Sequence, residues 1–137
     1  MTMNSSLGRA ANGNHHQIRV LLVDDHAVIR QGLKMLLESR PEIEVVADCE
    51  NGREALLAVE RLKPDVVLMD VVMPGMNGFQ ATRTISRQEG TSHIPIIMCT
   101  SKDLETDKIW AMRQGAQHYL VKPADHDELL AKIASFN

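Results

Sequence analysis

The stretch Val66-Val67-Leu68-Met69-Asp70-Val71-Val72-Met73-Pro74-Gly75-Met76-Asn77-Gly78 constrains this chain more than any other. An unbroken apolar run leads into one carboxylate, and a loop punctuated by Pro74, Gly75 and Gly78 follows. A short apolar run of this kind has both faces covered, as in a parallel strand flanked by helices. Asp70 then lies where a buried strand runs out. In open α/β sheets, ligands bind at the carboxyl ends of the strands. Asp70 is therefore the first candidate for a reactive group.

The rest of the chain repeats the same unit. Ile18 to Val23 reads as a strand closed by Asp24-Asp25, followed by a helix with Val28, Ile29, Leu33, Leu36 and Leu37 on its inner face and Pro41 as its stop. Ile43 to Ala47 is a second strand, and Asn51-Gly52 a turn. A second helix follows, with Ala55, Leu56, Val59 and Leu62 inward, ended by Pro64. The third strand is Val66 to Asp70 and the third helix Phe79 to Gln88, with Gly90 near its end. Ile94 to Cys99 is a fourth strand ending at Thr100, with Pro95, which lacks an N–H, at its start.

Asp103 or Ser101 is the expected N-cap of a fourth helix running to about Gln114, where Gly115 stops it. Gln117 to Val121 is a fifth strand, ending at Lys122-Pro123. Asp125 to Ser135 is a closing helix with Leu129, Leu130, Ile133 and Phe136 inward. Strands alternating with helices across short loops predict an α/β fold, a doubly wound parallel sheet with right-handed crossovers. Met1 to Gln17, rich in Asn, Gly, Ser and His, shows no periodicity and reads as a mobile tail, in which His15-His16 is an incidental pair or a metal tract.

Composition removes several function classes. At 137 residues the chain holds one domain. A net charge of -3 gives no electrostatic footprint for nucleic acid or an anionic membrane. No window has the apolar length of a membrane span and no secretory h-region opens the chain, so the cytoplasm is the expected location. Cys49 and Cys99 fit no metal or redox spacing and read as small buried hydrophobes. No GxGxxG or Walker loop is present.

The residues at the strand ends carry the chemistry. In a parallel sheet Asp24, Asp25, Asp70, Thr100 and Lys122 meet at one edge, although they are far apart in sequence. Each has a plainer reading alone. Asp24 or Asp25 is a helix cap, Asp70 a turn residue, Thr100 a turn hydroxyl and Lys122 an exposed charge. Together, three carboxylates repel unless a cation lies among them. A hard divalent ion that keeps waters and accepts a phosphoryl oxygen, Mg²⁺, suits such a site. With Lys122 as a fixed positive charge and Thr100 as a hydroxyl, the set forms a clamp on a transferring phosphoryl group with a carboxylate nucleophile.

Val23-Asp24-Asp25, Met69-Asp70-Val71-Val72-Met73-Pro74-Gly75-Met76-Asn77-Gly78, Cys99-Thr100-Ser101 and Val121-Lys122-Pro123 resemble the receiver domain of bacterial two-component response regulators. The resemblance covers residues 18–137 and implies a CheY-like, flavodoxin-like (βα)5 sheet of strand order 2-1-3-4-5. It implies that Asp70 accepts phosphate from a phosphohistidine of a sensor kinase or phosphotransfer protein. Asp24, Asp25, Asp70 and the backbone carbonyl of Val72 would hold Mg²⁺. Lys122, joined to Pro123 by a bond typically cis, would pair with the phosphoryl oxygens. Thr100 would move to the phosphoryl group and Tyr119 turn inward with it, switching the surface of helix four, strand five and helix five toward a protein target. A strand aromatic is the plainer reading of Tyr119. Trp110 is either a partner contact or a packing residue. The implied class is a phosphoacceptor signalling domain with slow autodephosphorylation, not an enzyme, and a phosphorylation-linked dimer is left open.

Within the family the two halves differ. Asp24-Asp25-His26-Ala27-Val28-Ile29-Arg30-Gln31-Gly32-Leu33 looks like receivers of the NarL/LuxR class, which normally carry a DNA-binding domain. Thr100 to Trp110, with Arg113-Gln114-Gly115-Ala116, looks like PilH-like single-domain regulators of type IV pilus chemotaxis systems. Only Pro123 to Asn137 follows Lys122, which favours a stand-alone receiver acting by protein contact and no direct nucleic acid binding. A Mg²⁺-dependent aspartate-nucleophile phosphatase is the alternative, although Val72 stands where it would carry a second carboxylate. The same Val72, with Lys102 two past Thr100, predicts a phosphoaspartate that hydrolyses more slowly than in the chemotaxis archetype.

Overall fold

A computed structural model describes residues 17–136; the expected tail, including His15-His16, lies outside the described residues apart from Gln17. Five strands, β1 (Ile18–Val23), β2 (Ile43–Cys49), β3 (Val66–Met69), β4 (Ile96–Thr100) and β5 (His118–Val121), form one parallel sheet. They alternate with α1 (Ala27–Glu38), α2 (Gly52–Leu62), α3 (Gly78–Arg87), α4 (Glu105–Gln114) and α5 (His126–Ala134). The order is β2-β1-β3-β4-β5, the flavodoxin-like arrangement that the resemblance implied.

The continuous apolar runs fill both faces of the sheet. Leu21, Val23, Val67, Met69, Ile96 and Met98 join one core cluster with Ala55 and Val59 of α2, Ala81 and Ile85 of α3, and Ala111 of α4. Val20, Leu22, Val66, Leu68, Ile97 and Cys99 join the other, with Leu37 of α1 and Leu129, Leu130 and Ile133 of α5. The strand period of two divides the residues between layers. Each fully buried Leu, Ile, Val or Met contributes roughly 1.5–3 kcal/mol, so the three central strands hold the sheet rigid where the site needs it.

Several boundaries depart from the sequence expectation for identifiable reasons. β2 runs on to Cys49 because its last residues keep pairing with Leu22 and Val23 of β1. β4 begins at Ile96, since Ile94 is held in a turn by its N–H to Thr91 O and Pro95 contributes only its carbonyl, to Val67 N–H. β3 stops at Met69, which leaves Asp70 just beyond the strand. α3 starts a residue early because Asn77 and Gln80 form a reciprocal capping box. The N-cap of α4 is Leu104, with no side-chain cap, and not Asp103 or Ser101. Gly115 does end α4, at φ 114°, where an added Cβ would lie 2.3 Å from Ser86 Oγ.

The inner face of α1 needs a larger correction. Leu37 is fully buried and Leu33 and Leu36 are half-buried, but Val28 is 85% exposed and Ile29 40% exposed. The period was helical. The first turn, however, lies over the sheet edge beside the strand ends, beyond the reach of the core. α5 matches its reading, with Asp125 as the N-cap accepting from the N–H groups of Asp127 and Glu128.

Candidate functional site at the strand ends

The sheet register brings the expected residues together. Val23, Met69 and Met98 are lateral neighbours across β1, β3 and β4, and Thr100 pairs with Val121. The residues next in sequence are therefore neighbours too. Asp70 N–H bonds Val23 O at 3.0 Å, Asp24 N–H bonds Cys49 O at 3.0 Å, and Lys122 N–H bonds Thr100 O at 2.8 Å. Backbone ladders thus fix the stems of the polar side chains before those side chains interact.

Asp24 and Asp70 are buried, and Lys122 reaches both across the edge. Its Nζ lies 2.5 Å from Asp24 Oδ2 and 3.6 Å from Asp70 Oδ2. Asp70 Oδ1 accepts the Val71 N–H at 2.7 Å, which leaves the other oxygen, Oδ2, to Lys122. Burial pushes the Asp70 carboxyl above its ordinary value; Lys122 opposes the shift and Asp24 reinforces it. Burial acts to lower the Lys122 ammonium, but the hydrogen bond to Asp24 and the charges of Asp70 and Asp24 win and raise it. Lys122–Pro123 is cis.

The loop after Asp70 turns back tightly over the strand end. Gly78 N–H bonds Val71 O at 2.8 Å, and a Cβ at Gly78 would stand 2.0 Å from Asp70 O. Only glycine allows that approach. Val72 is 54% exposed at the rim. Thr100 is fully buried, and its Oγ1 accepts the Lys102 N–H at 3.4 Å. Tyr119 is half-buried and its hydroxyl donates to Lys102 O at 2.8 Å; burial, then Asp107 and Asp103, push that phenol up to about 12. The Cys49 and Cys99 thiols are buried and pushed up to about 11, which keeps them unreactive, as small buried hydrophobes should be.

The donor set fits a hard divalent cation. Asp24, Asp25, Asp70 and His26 each present one ligand atom, all within 4.8 Å of one another. Asp25 Oδ1 is buried without a hydrogen-bond partner, an orphaned acceptor that a cation would satisfy. Two contributors were not singled out from sequence. His26 closes the acidic group, and its N–H bonds Asp24 Oδ1 at 2.8 Å. Arg30 bonds Asp24 O at 2.7 Å and Asp48 Oδ1 at 3.0 Å, tying α1 and β2 to the strand end. The signal for His26 was simple adjacency to the acidic pair. Arg30 looked like one of several solvent-face charges.

An acid pair bridged by lysine at the carboxyl edge of a 2-1-3-4-5 sheet defines a receiver. The chain belongs to the response regulator receiver domain family, which it matches over residues 20–134. It is 49% identical to the protein PilH of Pseudomonas aeruginosa over 84% of this chain and 93% of that protein. It is 42% identical to the transcriptional regulatory protein LiaR of Bacillus subtilis over 85% of this chain, and spans about half, 54%, of that longer relative. The response regulator domain of Thermotoga maritima CheB superposes with TM-score 0.80 at 36% identity, covering 88% of this chain and 96% of that domain. The chain is thus a PilH-like receiver domain of the two-component signalling class. Among the described residues, no helix is long and apolar enough to cross a membrane.

Proposed function

We propose that residues 18–137 form a phosphoacceptor domain in which Asp70 takes a phosphoryl group from a phosphohistidine of a sensor kinase or phosphotransfer protein. The observation that carries this reading is the placement of the Lys122 ammonium between two buried carboxylates of different strands. Asp70 Oδ2 attacks phosphorus; the new bond is O–P, the bond broken is P–N, and the imidazole leaves with its electron pair. The Val71 N–H holds Asp70 in the attacking orientation, and Lys122 balances the phosphoryl charge. Asp24, Asp25, Asp70 and the carbonyl of Val72 would hold Mg²⁺, which supplies charge neutralisation of the transferring oxygens.

Once the dianion stands on Asp70, the buried hydroxyl of Thr100 turns to it. That turn would release the Lys102 N–H and loosen the Tyr119–Lys102 bond. The readout surface is α4, β5 and α5. Leu104 at the N-cap of α4 and Ile109, Trp110 and Met112 on it are exposed apolar side chains available to a protein target. Trp110, 49% exposed, belongs to this contact reading. Slow loss of phosphate, no independent enzymatic turnover and a cytoplasmic location complete the proposal. The similarity to PilH along nearly its whole length supports a role in control of type IV pili.

The test is incubation with acetyl phosphate and Mg²⁺ followed by mass spectrometry. An acid-stable, base-labile phosphoryl mass gain that disappears in Asp70→Ala is expected. Sustained turnover of added phosphoesters would mean a phosphatase instead, and no modification at all would mean a degenerate interaction module.

A further inference from the structure

Asp24 is held through every polar group it has. Its N–H bonds Cys49 O at the end of β2, its Oδ1 accepts the His26 N–H, and its Oδ2 meets Lys122 Nζ. Its carbonyl accepts from Arg30 Nη1 at 2.7 Å. Arg30 is itself anchored, because its Nε donates to Asp48 Oδ1 at 3.0 Å. That side chain is 17% exposed, although Val28 and Ile29 just before it on α1 lie open. β2 therefore reaches Asp24 twice, once by backbone through Cys49 and once by side chains through Asp48 and Arg30.

The neighbouring acid has less support. The Asp25 side chain is 26% exposed, and its Oδ1 has no hydrogen-bond partner. What aims it is the peptide before it. That peptide is planar and carries the Asp24 oxygen and the Asp25 Cα in one rigid unit. Holding the oxygen therefore fixes the direction in which Asp25 leaves the strand end. Asp24, Asp25 and Asp70 present carboxylate oxygens within 4.8 Å of one another, and a rotation of the peptide would swing Asp25 out of that group. A guanidinium is suited to this task. It offers two nitrogens in fixed relation, one for each acceptor, where an ammonium is a point charge on a flexible stem.

We infer that Arg30 is a positioning residue for phosphoryl uptake: it carries the rigidity of β2 from Asp48 to the Asp24 carbonyl and so keeps the Asp25 carboxylate aimed beside Asp70. The inference rests on reading Asp70 as the phosphoacceptor and Asp24 and Asp25 as its cation ligands. Arg30 acts through the peptide and not through its charge, which by itself opposes a cation at this edge. Position and charge therefore predict opposite signs when Arg30 is removed.

The variants are Arg30→Lys, which keeps the charge and loses the fork, Arg30→Met, which loses both, and Asp48→Ala, which cuts the anchor at an exposed position. In metal-free protein, amide hydrogen exchange read by nuclear magnetic resonance should quicken in all three at His26, whose N–H bonds the Asp24 side chain. Calorimetric titration should show Mg²⁺ affinity about tenfold lower in both Arg30 variants, the low end of what losing an outer partner of a metal ligand costs. With acetyl phosphate, the Mg²⁺ concentration for half-maximal uptake should rise by the same factor while maximal uptake is kept, a split that a damaged fold does not give. Asp48→Ala should shift the same way, and the double variant Arg30→Met, Asp48→Ala should be no worse than Arg30→Met alone.

Tighter Mg²⁺ binding in Arg30→Met, or parent affinity in Arg30→Lys, would mean that Arg30 acts by charge and would overturn the inference. Parent exchange at His26, or additive losses in the double variant, would overturn it equally. Failure of the phosphoacceptor reading looks different. If the unaltered protein takes up no phosphoryl group at any Mg²⁺ concentration while exchange and affinity still shift in the variants, that reading falls and the hold of Arg30 on Asp24 stands.

Discussion

Replacing Lys122 by methionine keeps most of the aliphatic stem and removes the one ammonium that contacts both Asp24 and Asp70. The two carboxylates are 1% and 5% exposed, and the lysine side chain is 17% exposed, so the cluster is largely withdrawn from water. Removing one partner of a buried pair leaves charge uncompensated and typically costs about 3–5 kcal/mol. The partial access at the mouth places this case at the lower end, about 3 kcal/mol. Urea unfolding at pH 7.5 in EDTA should show that loss as a lower midpoint with an unchanged slope.

Two further readouts make the reasoning specific to charge. Without the ammonium the folded state favours protonated Asp70 more strongly. A carboxyl whose folded pKa lies above its unfolded value is best tolerated below the unfolded value and costs stability as pH rises through the folded one. The deficit of Lys122→Met should therefore be largest near neutrality and shrink as pH falls toward 3.8, the ordinary aspartate value. Mg²⁺ should also bind the variant more tightly, by at least about tenfold, because a unit charge some 4 Å away acts with about 4 kcal/mol at an effective dielectric of 20, before screening by solvent. Saturating Mg²⁺ would then recover much of the lost stability. A variant as stable as the parent in EDTA, or one that binds Mg²⁺ more weakly, would refute the claim that Lys122 neutralises this acid pair.

Three other substitutions probe the site. Asp70→Asn should abolish phosphoryl uptake by mass spectrometry while raising metal-free stability at pH 7.5. The sign follows from the raised Asp70 carboxyl, so the gain should fade at pH values below the ordinary aspartate range; a destabilised variant at pH 7.5 would contradict it. Gly78→Ala places a methyl against Asp70 O and should cost about 1–3 kcal/mol in thermal or urea unfolding, with slower phosphoryl uptake; wild-type values for both would show that the loop yields freely. Val72→Asn supplies a polar group at the exposed rim beside Asp70, and the phosphorylated protein should lose phosphate several-fold faster by time-resolved mass measurement. An unchanged half-life would remove Val72 as the cause of a long-lived phosphoaspartate.

Much of this protein was legible in its sequence because period and punctuation are local. The runs Val20 to Val23, Val66 to Met69 and Ile96 to Cys99 are apolar throughout, so they read as doubly covered strands, and they are buried along their whole length. Asp24, Asp70, Thr100 and Lys122 could be placed at strand ends because each follows or closes such a run, and the parallel sheet then set them side by side. Gly115 and Asp125 announced a helix end and a helix start through backbone chemistry that depends on one or two residues.

What the sequence did not decide depends on contacts between distant segments. Helical period gave α1 an inner face that includes Val28 and Ile29, but only the position of that helix at the sheet edge shows that its first turn has no core to meet. Arg30 became a brace because β2 carries Asp48 to it and β1 delivers the Asp24 carbonyl. Lys122 could be named as a charge in the site, but its choice of Asp24 at 2.5 Å over Asp70 at 3.6 Å is set by strand register. His26 stood in plain view beside two aspartates, yet the inward turn of Nδ1 to Asp24 Oδ1 exists only once the chain is folded. Local pattern determined the residues available at the edge, and packing determined which atoms face one another.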